Sequence, residues 1–144
     1  HDGSTLVQAS PPTMMIPIAL GLAWPDRVPD AAPSVDWTRP ETWEFLPLDD
    51  EAFPAVALAR EAGGAGGTAP CVYNAANEVA VDAFRGGNLP FVRIVDVVAE
   101  VLRSHDVPSE QDLSLDDVLG ADGWAREEAL RVIARTPEGP SRGM

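Results

Sequence analysis

The chain has 144 residues, with 23 Asp and Glu against 10 Lys and Arg, giving a formal net charge of −13. A hydrophobic content of 45% is too high for a disordered acidic chain, and the charge argues against nucleic acid or anionic membrane as partners, since both are polyanions. Every basic residue is Arg, which removes Schiff-base and Walker-lysine chemistry from these residues, and the lone Cys71 rules out an internal disulfide.

The first element expected is half of a hairpin. Asp2-Gly3 is a two-residue turn signal, and Thr5 to Ala9 reads as a strand leaving it. The incoming strand is not in the sequence, so either residues 1–4 are a frayed terminus or the chain opens in the middle of a β-structure. His1 in place of Met points the same way, to a processed chain or a piece of a longer one. Pro11 and Pro12 break the pairing, because proline has no N–H for a ladder. Pro17 suits the first turn of a helix that Ile18 to Trp24 can continue until Pro25 stops it. Residues 25–40, with Pro25, Pro29, Pro33 and Pro40, read as an extended connector, and Trp43 to Leu46 as a short strand ended by Pro47.

Helical spacing then takes over. Asp49 or Asp50 can cap a helix to about Ala62, with Phe53, Val56, Ala57 and Arg60 at helical intervals and the run Gly63–Gly67 ending it. Thr68 is a cap for a helix over about 69–85, striped by Val72, Ala76, Val79, Ala80 and Phe84 and closed by Gly86-Gly87. Phe91 to Leu102 is heavily β-branched, yet Asp96, Glu100 and Arg103 recur on one side, which favours helix. A turn at Leu115–Leu119 and a last helix over about 121–135 complete the pattern, with residues 137–144 expected as a disordered tail. There is no internal repeat. The fold class is α+β, mainly α: one or two strands, then a four-helix bundle-like module over 49–136. No segment approaches the roughly 18 apolar residues that cross a bilayer, so a soluble cytoplasmic protein is expected.

Candidate chemistry is sparse. Gly64 to Ala69 fits G-x-G-x-x-A, but that loop binds pyrophosphate only between a strand and a helix, and here a helix precedes it. The acidic clusters Asp49-Asp50-Glu51 and Asp116-Asp117 precede helices, where carboxylates cap free N–H groups and meet the positive end of the dipole. His105 sits near a helix end where a cation is favoured, and Cys71 reads as a small buried residue. Asn74, Asn77 and Glu78 lie at i, i+3 and i+4, a polar face that either docks its helix on a neighbour or touches substrate. Met14 and Met15, in a loop between strand and helix, either fill a core or offer soft apolar contact to a planar ligand.

Taken together, DGSTLVQASPPTM, IPIALGLAWPDR, Phe53-Pro54, GGTAPCVYNAANEVAVDAF and DDVLGADGWAR (116–126) resemble the C-terminal part of the 1-deoxy-D-xylulose 5-phosphate reductoisomerase family, from about Asp2 to Arg135. The resemblance implies conversion of 1-deoxy-D-xylulose 5-phosphate to 2-C-methyl-D-erythritol 4-phosphate in non-mevalonate isoprenoid synthesis, with NADPH and Mg²⁺ or Mn²⁺, by a homodimer. It implies that residues 1–33 end a catalytic domain whose sheet is truncated here, that 34–48 are a linker and that 49–136 are a C-terminal helical domain. Pro12 and Met14 match the family's apolar loop beside the substrate backbone and nicotinamide. Thr13 and Met15 depart from that loop, since the family places Asp or a similar residue at the first position and often a basic one at the second. The family's metal-binding carboxylates, phosphate-binding set, tryptophan flap and cofactor glycine loop have no counterpart here, so no catalytic residue and no metal ligand is assigned. The chain alone is expected to be inactive. The alternative is a free-standing acidic helical interaction module without catalysis.

Overall fold

In a computed structural model, the structure describes residues 2–7, 10, 12–107 and 113–135. The chain divides into two units, His1–Leu46 and Pro47–Met144. The expected tail over 137–144 lies outside the described residues.

In the first unit the local turn signal is realised and the ladder is not. Gly3 adopts φ +86, and Asp2 Oδ1 accepts the Ser4 N–H at 2.9 Å, closing a tight turn from side chain to backbone. Yet the expected strand Thr5–Ala9 is not seen: residues 4–7 are irregular, Leu6 is 99% exposed, and Gln8 and Ala9 lie outside the described residues. Trp43 to Leu46 is likewise irregular, and Trp43 packs on Trp37 with ring centroids 6.0 Å apart. A strand exists only through hydrogen bonds to a partner, and no strand is present among the described residues. The unit's one helix, α1 (Met15–Ala23), carries Pro17 in its first turn, where the missing N–H costs nothing. It ends at Trp24, which precedes a cis peptide bond to Pro25.

The second unit is built around α3 (Ala69–Arg85), which touches α2 (Ala55–Ala65), α4 (Ile94–Arg103) and α5 (Leu115–Arg135). Its core is made largely of small residues on four-residue ridges. Val72, Ala76 and Ala80 of α3 face Ala121, Ala125, Ala129 and Val132 of α5 and Val97, Val98 and Val101 of α4 within one buried cluster. Alanine ridges let the backbones approach closely, and the larger buried side chains are Val72, Leu89, Ile94, Val97, Val98, Val101 and Val132.

Boundaries moved for identifiable reasons. Asp49 caps only a turn, accepting the Ala52 N–H at 2.9 Å, because the residue before Pro54 is disfavoured in helical conformation. α2 therefore begins at Ala55 and shows the core Leu58 and Ala62, leaving Phe53 and Val56 exposed. It runs through Gly63-Gly64 and stops at Gly66, whose φ of +66 is a left-handed value that glycine adopts without strain. The β-branched segment is helical as expected, a 3-10 turn over Phe91–Arg93 leading into α4. The turn expected at Leu115–Leu119 is absorbed into α5. Ser114 and Asp117 form a capping box: Asp117 Oδ2 accepts the Ser114 N–H at 2.9 Å and Ser114 Oγ accepts the Asp117 N–H at 3.2 Å. Gly120 and Gly123 are carried inside the helix on its exposed side, while Ala121 and Ala125 between and beyond them are buried.

Candidate functional site

The polar face of α3 meets α5. Asn74 Nδ2 donates to Glu78 Oε1 at 2.9 Å, one helical turn away. The other carboxylate oxygen, Oε2, accepts from Arg126 Nη2 at 2.7 Å. Arg126 also grips Asp122, one turn before it on α5, through Nε at 2.7 Å and Nη2 at 3.2 Å. The Asp122–Arg126 spacing of four could be seen in the sequence, but the link across to Glu78 could not. Hydrogen bonds from Arg126 and then Asn74 hold the Glu78 carboxyl below its usual range, the Arg126 hydrogen bond does the same for Asp122, and both carboxylates push the guanidinium up. Such carboxylates are poor proton acceptors, so this arrangement joins helices and has no base to offer. Asn77, half-buried beside it, makes no side-chain hydrogen bond among the described residues.

A second cluster lies at the other end of α3. Thr68 stands at the start of the helix without a side-chain cap; its hydroxyl is 2.7 Å from His105 Nε2. The imidazole lies over Trp124 of α5, with ring centroids 5.1 Å apart and planes tilted by 36°. A cavity of about 410 Å³ opens beside them, lined also by Ser104, Asp106, Asp117, Gly120 and Ala121. The expectation that His105 acts as a cation at the end of its helix is corrected here: the ring points at Thr68, and burial pushes its pKa down, against a smaller upward pull from Asp106. Half-buried Cys71 donates to the Val118 carbonyl at 3.6 Å, and burial pushes its thiol pKa up, which suits packing and not nucleophilic attack.

The remaining sequence candidates stand apart from both clusters. The run from Gly64 to Ala69 connects α2 to α3, a helix-to-helix loop. In the first unit, Pro12 is exposed and Met14, 68% exposed, immediately precedes α1. Thr13 Oγ1 accepts the Met15 N–H at 3.2 Å and so shapes the entry to that helix. α1 buries none of its residues, presenting Met15, Ile18 and Leu22 to solvent. Among the described residues no three His, Cys, Asp or Glu side chains converge as a metal site, and no helix is long and apolar enough to cross a membrane.

Residues 9–128 match the family described as DXP reductoisomerase C-terminal domain. The chain is 63% identical over 134 residues to the 1-deoxy-D-xylulose 5-phosphate reductoisomerase of Kitasatospora griseola, covering 92% of this chain and 35% of that protein. It is 55% identical over 138 residues to the same enzyme of Streptomyces coelicolor, covering 95% and 33%. Among solved structures it is similar to the Zymomonas mobilis enzyme in complex with NADPH, at 38% identity and a TM-score of 0.66, over 94% of this chain and 35% of that one. A DOX-P reductoisomerase in complex with magnesium gives 32% identity and a TM-score of 0.64, over 96% and 36%. The chain thus spans about a third of the length of the relatives it matches. It belongs to the family of DXP reductoisomerase C-terminal domains.

Proposed function

We propose that this chain is the C-terminal portion of a 1-deoxy-D-xylulose 5-phosphate reductoisomerase and supplies its helical domain with the end of the catalytic domain before it. The observation that carries this reading is the family match over residues 9–128, backed by high identity to relatives three times as long. The whole enzyme converts 1-deoxy-D-xylulose 5-phosphate to 2-C-methyl-D-erythritol 4-phosphate, working as a cytoplasmic homodimer with NADPH and Mg²⁺ or Mn²⁺. The side chains described do not fit a metal: Glu78 and Asp122 are both taken by Arg126, and among the described residues no three His, Cys, Asp or Glu side chains converge as a metal site. Under this proposal the metal is therefore assigned to residues outside this chain.

Within it, Pro12 and Met14 are the residues proposed to lie against substrate and nicotinamide. Their exposure at the entry to α1 supports this, since a sulfur-containing apolar side chain in contact with solvent gains from covering a planar ligand. The helical domain's part is to hold its helices together through the Glu78–Arg126–Asp122 link. A chimera tests the reading: this chain replaces the matching C-terminal third of the Kitasatospora griseola relative, with NADPH oxidation followed in the presence of substrate and Mn²⁺. Turnover by the chimera and none by the 144 residues alone is expected. A folded chimera without turnover would overturn it, as would turnover by the chain alone.

A further inference from the structure

We propose that the Thr68–His105–Trp124 cluster is an acid-sensitive latch, which holds the chain leaving α4 against the start of α3 and the flank of α5 while the imidazole is neutral. Thr68 is the one buried polar side chain of the described residues, 2% exposed, and its hydroxyl has the His105 ring as its side-chain partner at 2.7 Å. The latch assigns the neutral imidazole's proton to Nδ1, so that Nε2 accepts from that hydroxyl. Protonation turns both ring nitrogens into donors. The Thr68 oxygen can then accept from the ring, but its O–H loses the ring as acceptor in a side chain only 2% exposed, and a positive charge arises in a half-buried ring.

The groups facing the ring are few. Asp106 on its own loop and Asp117 on α5 line the same cavity and attract the cation, as does the face of Trp124. Thr68 is what α3 contributes. Arg103, in the last turn of α4, is tied by its Nε to the Ala99 carbonyl at 3.1 Å. Desolvation outweighs the attraction and favours the neutral ring. The sign follows from the unfolded chain, which binds the proton at higher pH than the folded one. The stability conferred is present above the ordinary histidine value of about 6.5 and is lost as pH falls from there toward the lowered value.

The chain has two histidines, so its imidazole C–H resonances can be followed by NMR across this range, and H105Q assigns them by loss of one signal. A His105 midpoint below about 6.5 is expected, and T68V, which removes the hydroxyl and keeps the volume, should move it upward. Thermal melts of the whole chain should lose more on acidification than those of H105Q, whose amide oxygen still accepts from Thr68. A midpoint at or above the ordinary value overturns the latch. So does a midpoint that T68V leaves unmoved, or a pH profile that H105Q shares with the native chain.

Discussion

Five valines between Phe91 and Leu102 make the segment read equally as strand or helix by composition, and truncating them one at a time separates the two. In a strand Val92 and Val98 fall on one face and Val95, Val97 and Val101 on the other. In the structure Val97 and Val101 are 0% exposed and Val98 2%, whereas Val92 is 76% exposed and Val95 half-buried. Each buried CH₂-sized group carries about 0.8 kcal/mol, so Val→Ala at a fully buried site removes about 1.6 kcal/mol of transfer free energy. Incomplete collapse around the gap adds to this, for a total of about 2 kcal/mol. In a unit of this size that lowers Tm by roughly 10 °C. Val97→Ala, Val98→Ala and Val101→Ala should each show it in thermal unfolding followed by circular dichroism. Val92→Ala, on the exposed side, should stay within about 0.5 kcal/mol of the parent. Equal costs for Val92→Ala and Val98→Ala would refute the helical reading, because only a strand puts those two side chains in the same environment.

Other consequences are quickly stated. Ala125 is 0% exposed on the α5 ridge, so A125L should overpack the contact with α3 and cost about 1–3 kcal/mol in denaturant unfolding; a neutral result would mean the helices stand further apart. E78Q should lower Tm at neutral pH and low salt, and the deficit should shrink at high salt as the Arg126 attraction is screened. Because the Glu78 carboxyl is held below its usual range, the stability it confers is present above the ordinary glutamate value and lost as pH falls through the lowered one, so E78Q and parent should converge in acid. In an active full-length enzyme carrying this chain, M14A should raise KM for substrate or NADPH without altering the circular dichroism spectrum; unchanged KM for both would remove Met14 from the site.

What could be read from the sequence divides along the range of the interactions. α3 is legible because its apolar stripe and its glycine stop are local, with Val72, Ala76 and Ala80 where the spacing puts them, and α4 because Asp96, Glu100 and Arg103 recur along one side. α5 begins ahead of the expected 121 because the Ser114–Asp117 capping box and the burial of Ala121 and Ala125 outweigh the about 1 kcal/mol that Gly120 costs inside a helix. For α2 the spacing points to Phe53, Val56, Ala57 and Arg60, whereas the packing on α3 and α4 selects the face of Leu58 and Ala62, a choice made by residues distant in sequence. The Asp2-Gly3 turn was visible for the same reason that its strand was not confirmed: a turn is made by neighbours, a ladder by residues far away in sequence.

The same division explains why the conspicuous polar residues of the helical unit turned out to serve packing. Asn74 and Glu78 attract notice on an otherwise apolar helix, and a polar face there must find partners or water. Its partner is an arginine 48 residues away, and the resulting bridge draws the two carboxylates below their usual range. His105 attracts notice as a titratable residue near a helix end, and it too is taken up by a neighbour, a threonine 37 residues away. Chemistry needs a group left free to exchange a proton or attack, and in this unit the charged and nucleophilic side chains best placed for it are already engaged. The exposed apolar residues present the opposite case. Met14, Met15, Ile18 and Leu22 are exposed in the first unit, where α1 half-buries Ile16, Ala19 and Leu20 and fully buries none of its residues. The ligand contact proposed for Pro12 and Met14 would fall at the entry to this exposed helix.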